Sequence, residues 1–110
     1  MMDMANTQKG RASLLYEEPP LVLGAASIVG EKEGNGPIGS CFDKIEMDPL
    51  LGKKNWEEAE SELLRRTAEL AIEKSGIKRE ELRYFFGGDL QAQLSATSFG
   101  CQELKIPMFG

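Results

Sequence analysis

The chain contains no histidine. That removes the side chain that titrates nearest neutral pH, the commonest metal ligand, and any Ser-His or Cys-His catalytic pair within these residues. Cysteine is scarce. Cys41 and Cys101 lie far apart and make neither a disulfide framework nor a zinc cluster. Bases are outnumbered, 13 Lys and Arg against 18 Asp and Glu, which gives a net charge of −5. A nucleic-acid binder would carry a concentrated basic footprint instead. No apolar run approaches the roughly eighteen residues of a membrane-spanning helix. Residues 1–11 hold Lys9 and Arg11 but no apolar stretch of signal-peptide length, which argues against export by that route.

What remains is ordinary globular material. The 110 residues amount to one domain or less, with 41% hydrophobic and 28% charged residues, unlike a disordered chain. Residues 1–12 are polar and read as a flexible tail; residues 13–110 read as one body. Residues 13–16 form a short extended piece, interrupted by Glu17, Glu18, Pro19 and Pro20, because proline fixes φ and donates no hydrogen bond. Residues 21–29 (LVLGAASIV) are apolar on both alternate sets, the pattern of a strand covered on both faces. Gly24, Ala25 and Ala26 fit a strand that another element approaches closely. Residues 30–39 (GEKEGNGPIG) read as a loop. Its glycines match neither a phosphate-binding loop nor a dinucleotide fingerprint, so a plain turn is favoured over a phosphate cradle. Phe42, Ile45, Met47, Leu50 and Leu51 pin an irregular excursion against the body, the kind of long loop that often carries a binding face.

The clearest element is a helix over 55–75. Asn55 is an N-cap with Glu58 three positions on, as in a capping box. Glu57, Glu58, Glu60 and Glu62 crowd the positive end of the dipole, and Lys74 lies near the negative end. Trp56, Ala59, Leu63, Thr67 and Leu70 form a stripe that Leu64, Ala68 and Ala71 widen, which predicts burial against a sheet. Trp56 on that stripe reads as core rather than as a ligand platform, and Glu60 as a first-turn dipole partner rather than a catalytic acid. Gly76 stops the helix and Ile77 packs back. A charged connector over 78–82 leads into a β-prone run over 83–87. A second helix is expected over 90–105, broken near Ser95, with a narrow face of Ala92, Ala96, Phe99, Gly100 and Leu104. Pro107 ends it, and 107–110 begins another strand. The βαβαβ order predicts an α/β fold, a mixed sheet with helices packed on it. Three strands leave edges and an apolar surface bare, so the expectation is one piece of a larger α/β body.

Several landmarks together resemble one family. They are Gly36-Pro37-Ile38-Gly39, Phe42-Asp43-Lys44, Lys54-Asn55-Trp56-Glu57 with Ala59-Glu60, Phe86-Gly87-Gly88-Asp89-Leu90 and Leu104-Lys105-Ile106-Pro107. In this order and spacing they resemble the stage V sporulation protein AD family from about Ser13 to Gly110. More distantly, Ser75-Gly76-Ile77, the acidic connector and a strand ending in glycine look like thiolase-type condensing enzymes such as ketoacyl synthase III. The resemblance implies a partial thiolase-like fold, with residues 13–110 as the amino-terminal part of that domain. It implies a protein that binds dipicolinic acid and assists the movement of that acid, largely with calcium, into the forespore and out at germination. It further implies peripheral attachment to the spore inner membrane through partner proteins of the same stage V operon, with no spanning helix of its own. The family's nucleophile cysteine follows the strand that begins near Pro107, so Cys101, upstream of it, does not inherit that role. No cofactor or metal is implied. Gln91, Ala92 and Gln93 depart from the family's usual run after Gly88-Asp89-Leu90.

Dipicolinate is a small flat dianion, which calls for backbone N–H groups, amide or cationic donors and a flat apolar wall. In α/β folds such sites favour the carboxyl ends of strands, here residues 88–93. Gln91 and Gln93 are the candidate donors. Asp89 would repel the free dianion unless calcium bridges them, and its capping role is favoured. The alternatives are an acyltransferase or condensing enzyme of the thiolase superfamily, and a docking subunit whose acidic helix face meets other membrane proteins. The lack of histidine and of a nucleophile favours binding. A homodimer is expected by analogy with condensing enzymes of this fold.

Overall fold

A computed structural model describes residues 7–88 and 95–110 of the protein. In chain order the elements are β1 (Gln8–Lys9), β2 (Ser13–Leu14), β3 (Ile28–Gly30), the single-turn α1 (Glu31–Gly34), β4 (Lys44–Glu46), α2 (Trp56–Ser75), β5 (Phe85–Phe86), α3 (Ser95–Gln102) and β6 (Met108–Phe109). Short 3-10 turns occupy Gly39–Cys41 and Arg79–Glu81. The class is mixed α/β, with helices packed against small sheets. Among the described residues the strands form three two-stranded pairs rather than one continuous sheet. β1 and β2 make an antiparallel hairpin, whereas β3–β4 and β5–β6 are parallel.

α2 forms where capping and periodicity agree. The Asn55 side chain accepts from the Glu58 amide at 2.9 Å, and the Glu58 carboxylate accepts in return from the Lys54 amide at 3.3 Å. Such a cap stabilises a helix by about 1 kcal/mol. The far end closes on Gly76 at φ 75°, the left-handed conformation that a Cβ would penalise. One flank of α2 packs on α3 and the turn beyond it. Leu64, Ala68 and Ile72 meet a buried cluster of Cys101, Leu104 and Ile106, joined by Leu82, Phe85 and Met108. Gly100 permits the close crossing: a Cβ there would sit 2.8 Å from the Ser61 carbonyl oxygen and 3.0 Å from Leu64 Cδ2. The chain leaves α3 through Lys105, a non-glycine residue at φ 56°, and enters β6. Phe85 N–H then donates to Pro107 O (2.8 Å) and Gly87 N–H to Phe109 O (2.9 Å), so 107–110 forms the strand its sequence announces.

Four expectations change. Residues 21–29 are not a strand covered on both faces: only Ile28–Gly30 pairs, and Leu21 and Val22 are 81% and 87% exposed. No ladder partner reaches that part of the segment among the described residues, although Gly24 does abut the backbone of Ser75. The stretch taken as an irregular excursion contains β4, whose three residues are too short for an alternating pattern to register. Within it only Leu51 is buried, while Ile45 and Met47 stay exposed. Trp56, read as core, is 55% exposed, and Phe99, read as part of the packed face, is 66% exposed. The described part of the second helix is Ser95–Gln102, where Ala96 and Gly100 are buried and Leu104 follows in the turn.

The core is small for the chain. The radius of gyration is 17.0 Å, against about 13 Å for a compact domain of this length. No described helix is long and apolar enough to cross a membrane.

Candidate ligand groove

An open groove of about 410 Å³ runs along α2, beside its contact with α3 and sharing Leu64 and Ala68 with it. Leu63, Leu64, Ala68 and Ala71 form its helical wall, Ile28 and Phe85 its strand side, and Gly88 its rim. Two polar side chains face it, Glu60 and Thr67. The Thr67 hydroxyl donates to Leu63 O at 2.7 Å, so it is engaged by its own helix. Part of the helical stripe read from the sequence as sheet-facing, Leu63, Leu64, Thr67, Ala68 and Ala71, forms the groove wall and faces Ile28 of β3 and Phe85 of β5. Glu60, read as a dipole partner at a wet edge, lies half-buried at the same surface. Chemically the groove offers a flat apolar wall with one carboxylate, and any anionic ligand needs its donors from the rim.

In the sequence the predicted contact residues follow Gly88. Asp89, Gln91 and Gln93 lie outside the described residues, as does the expected helix start at 90. Gly88, which precedes them in the chain, lies two residues past the end of β5 and lines the groove. The two cysteines are not brought together: Cys41 is exposed and Cys101 is buried. Burial pushes the Cys101 thiol up from its ordinary range, which suits a core residue and opposes thiolate formation.

The charged side chains form a second structure along α2 that the sequence reading missed. Glu62 accepts from Arg65, from Arg66 Nε at 2.8 Å, and lies 3.8 Å from Lys53. The Arg65 hydrogen bond, reinforced by Arg66 and by the positive charge around it, holds the Glu62 carboxyl down to about 2 despite its partial burial. The same pairing raises Arg65 further above its ordinary value. Arg65 also reaches Glu69 at 2.9 Å, and Arg66 reaches Glu46 of β4 at 3.0 Å. Asp43, just before β4, takes Lys74 Nζ at 2.7 Å and the Ser27 amide at 2.8 Å; these contacts, Lys74 first, lower its carboxyl. The i,i+3 and i,i+4 pairs were readable as helix spacing. The links from α2 to residues 43 and 46 carried no local signal.

Comparison with known proteins places these features in a family. Residues 10–110 match the family described as Stage V sporulation protein AD. The chain is 33% identical over 104 residues to Stage V sporulation protein AD of Bacillus subtilis (strain 168), an overlap covering 92% of this chain and 31% of that protein. The chain thus spans less than a third of the length of that relative. The family match covers the landmarks from Gly36 to Pro107, the long capped helix and the β5–α3–β6 unit, and on that ground the chain belongs to the stage V sporulation protein AD family.

Proposed function

We propose that this chain contributes part of a dipicolinic acid site in a protein that assists movement of that acid into the forespore and out at germination. Family membership carries the reading, and the groove ending at Gly88 supports it. The apolar wall of Phe85, Leu63 and Ala71 suits one face of an aromatic ring. Gln91 and Gln93, which follow Gly88 in the chain, supply hydrogen-bond donors, and Asp89 caps the following helix or meets the ligand through calcium. In this reading the protein has a thiolase-like fold, dimerises when complete, and sits peripherally on the spore inner membrane beside membrane proteins of the same operon.

The test is calorimetric titration of a full-length family member carrying these residues with dipicolinate, with and without calcium. Saturable heat that falls at least about tenfold in affinity in a Gln91→Ala, Gln93→Ala double variant is expected, since two hydrogen bonds to a charged ligand are lost. Absence of heat in both conditions overturns the reading.

A further inference from the structure

β3 and β4 lie beside α2 with a groove of about 420 Å³ between them, lined by Ile28, Ile45 and Leu70 at its floor and by Lys44, Glu46, Arg66, Glu69 and Glu73 around it. Apolar packing closes this layer only in part: Ile28 lies across from the apolar wall of α2, but Ile45 is 41% exposed. Charge bridges it at both ends. Asp43, preceding β4, pairs with Lys74 at 2.7 Å, and Glu46, ending β4, pairs with Arg66 at 3.0 Å. The spans agree. Asp43 to Glu46 covers about 10 Å of extended chain, and Arg66 to Lys74 covers about 12 Å of helix. The strand therefore lies along the helix in the opposite sense, clasped once at each end. All four side chains keep substantial exposure, from 29% to 43%, so salt reaches both clasps.

We infer that the β3–β4 ribbon is a detachable strap, held on α2 by the Asp43–Lys74 and Glu46–Arg66 clasps, that lifts away from the α2–α3 body when those charges are screened. Among the described residues β3 and β4 pair only with each other, and a two-stranded pair is at best marginally stable, so its ladder opens once it leaves the helix. The α2–α3 contact, made by Gly100, Leu104 and Leu64, does not depend on these charges.

Amide hydrogen exchange on a full-length family member carrying these residues, in about 20 mM and about 500 mM NaCl, tests the strap, because exposed pairs are screened over that range. The Lys44 amide, bonded to Ser27 O at 3.2 Å, is expected to exchange roughly threefold to tenfold faster in high salt. The Leu104 amide, bonded to Cys101 O at 3.0 Å, is expected to change little. Lys74→Gln and Glu46→Gln each remove one clasp while leaving the Arg66–Glu62 bond in place, and the double variant should lose the salt response. Equal acceleration at both amides, acceleration at neither, or an undiminished response in the double variant overturns the inference. The wild-type salt comparison decides the matter alone if a variant fails to fold.

Discussion

The two sides of α2 are built by different means. Toward α3 the contact is dry and short-range: Gly100 lets the helices cross closely, and Cys101, Leu104 and Ile106 are nearly inaccessible. Toward β3 and β4 the contact is charged and open, with Ile45 half in solvent. Small residues permit close approach, and close approach excludes water, so the first side takes its stability from burial. The second side keeps its ion pairs in contact with solvent, where each pair stabilises little.

Matched truncations on the two sides break this contrast most directly. Leu104→Ala should destabilise by about 2–5 kcal/mol in urea unfolding, since Leu104 is 1% exposed. Gly100→Ala should cost about 1–3 kcal/mol, because the new methyl meets the Ser61 carbonyl. A thermal midpoint equal to that of the parent would show that α3 shifts freely along α2. Acid sharpens the comparison next. The Glu62 carboxyl falls from an ordinary 4.5 to about 2 on folding, so its contribution is complete above pH 4.5 and is lost as pH falls toward 2. The loss should be on the order of 2 kcal/mol and should vanish in Glu62→Gln when stability is followed across that window. Ile45→Ala, on the charged side, should cost less than about 1 kcal/mol by the same urea measurement. A cost comparable to Leu104→Ala would mean that the strap has an apolar core after all.

The sequence announced whatever was local. Asn55, Glu58 and Gly76 marked α2 at both ends because caps act within one turn, and Pro107 marked the approach to β6. The small residues of α3 announced close packing for the same reason. Leu21, Val22 and Leu23 misled, since an apolar run states a preference for burial and not whether a partner lies alongside. β4 was illegible because its place depends on Asp43 and Glu46 meeting helix residues 31 and 20 positions away. Of the candidate groove, the helical wall was readable as an apolar stripe facing strands, and Ile28 and Phe85 do lie across from it. Asp89, Gln91 and Gln93 rest on chemistry alone.

Trp56 is the chain's single tryptophan, and it stands half in solvent beside Pro49 and Leu51 at the head of α2. Its emission is therefore a private gauge of that corner: it should redden and quench as residues 49–59 loosen, and stay silent while the far end of the molecule rearranges.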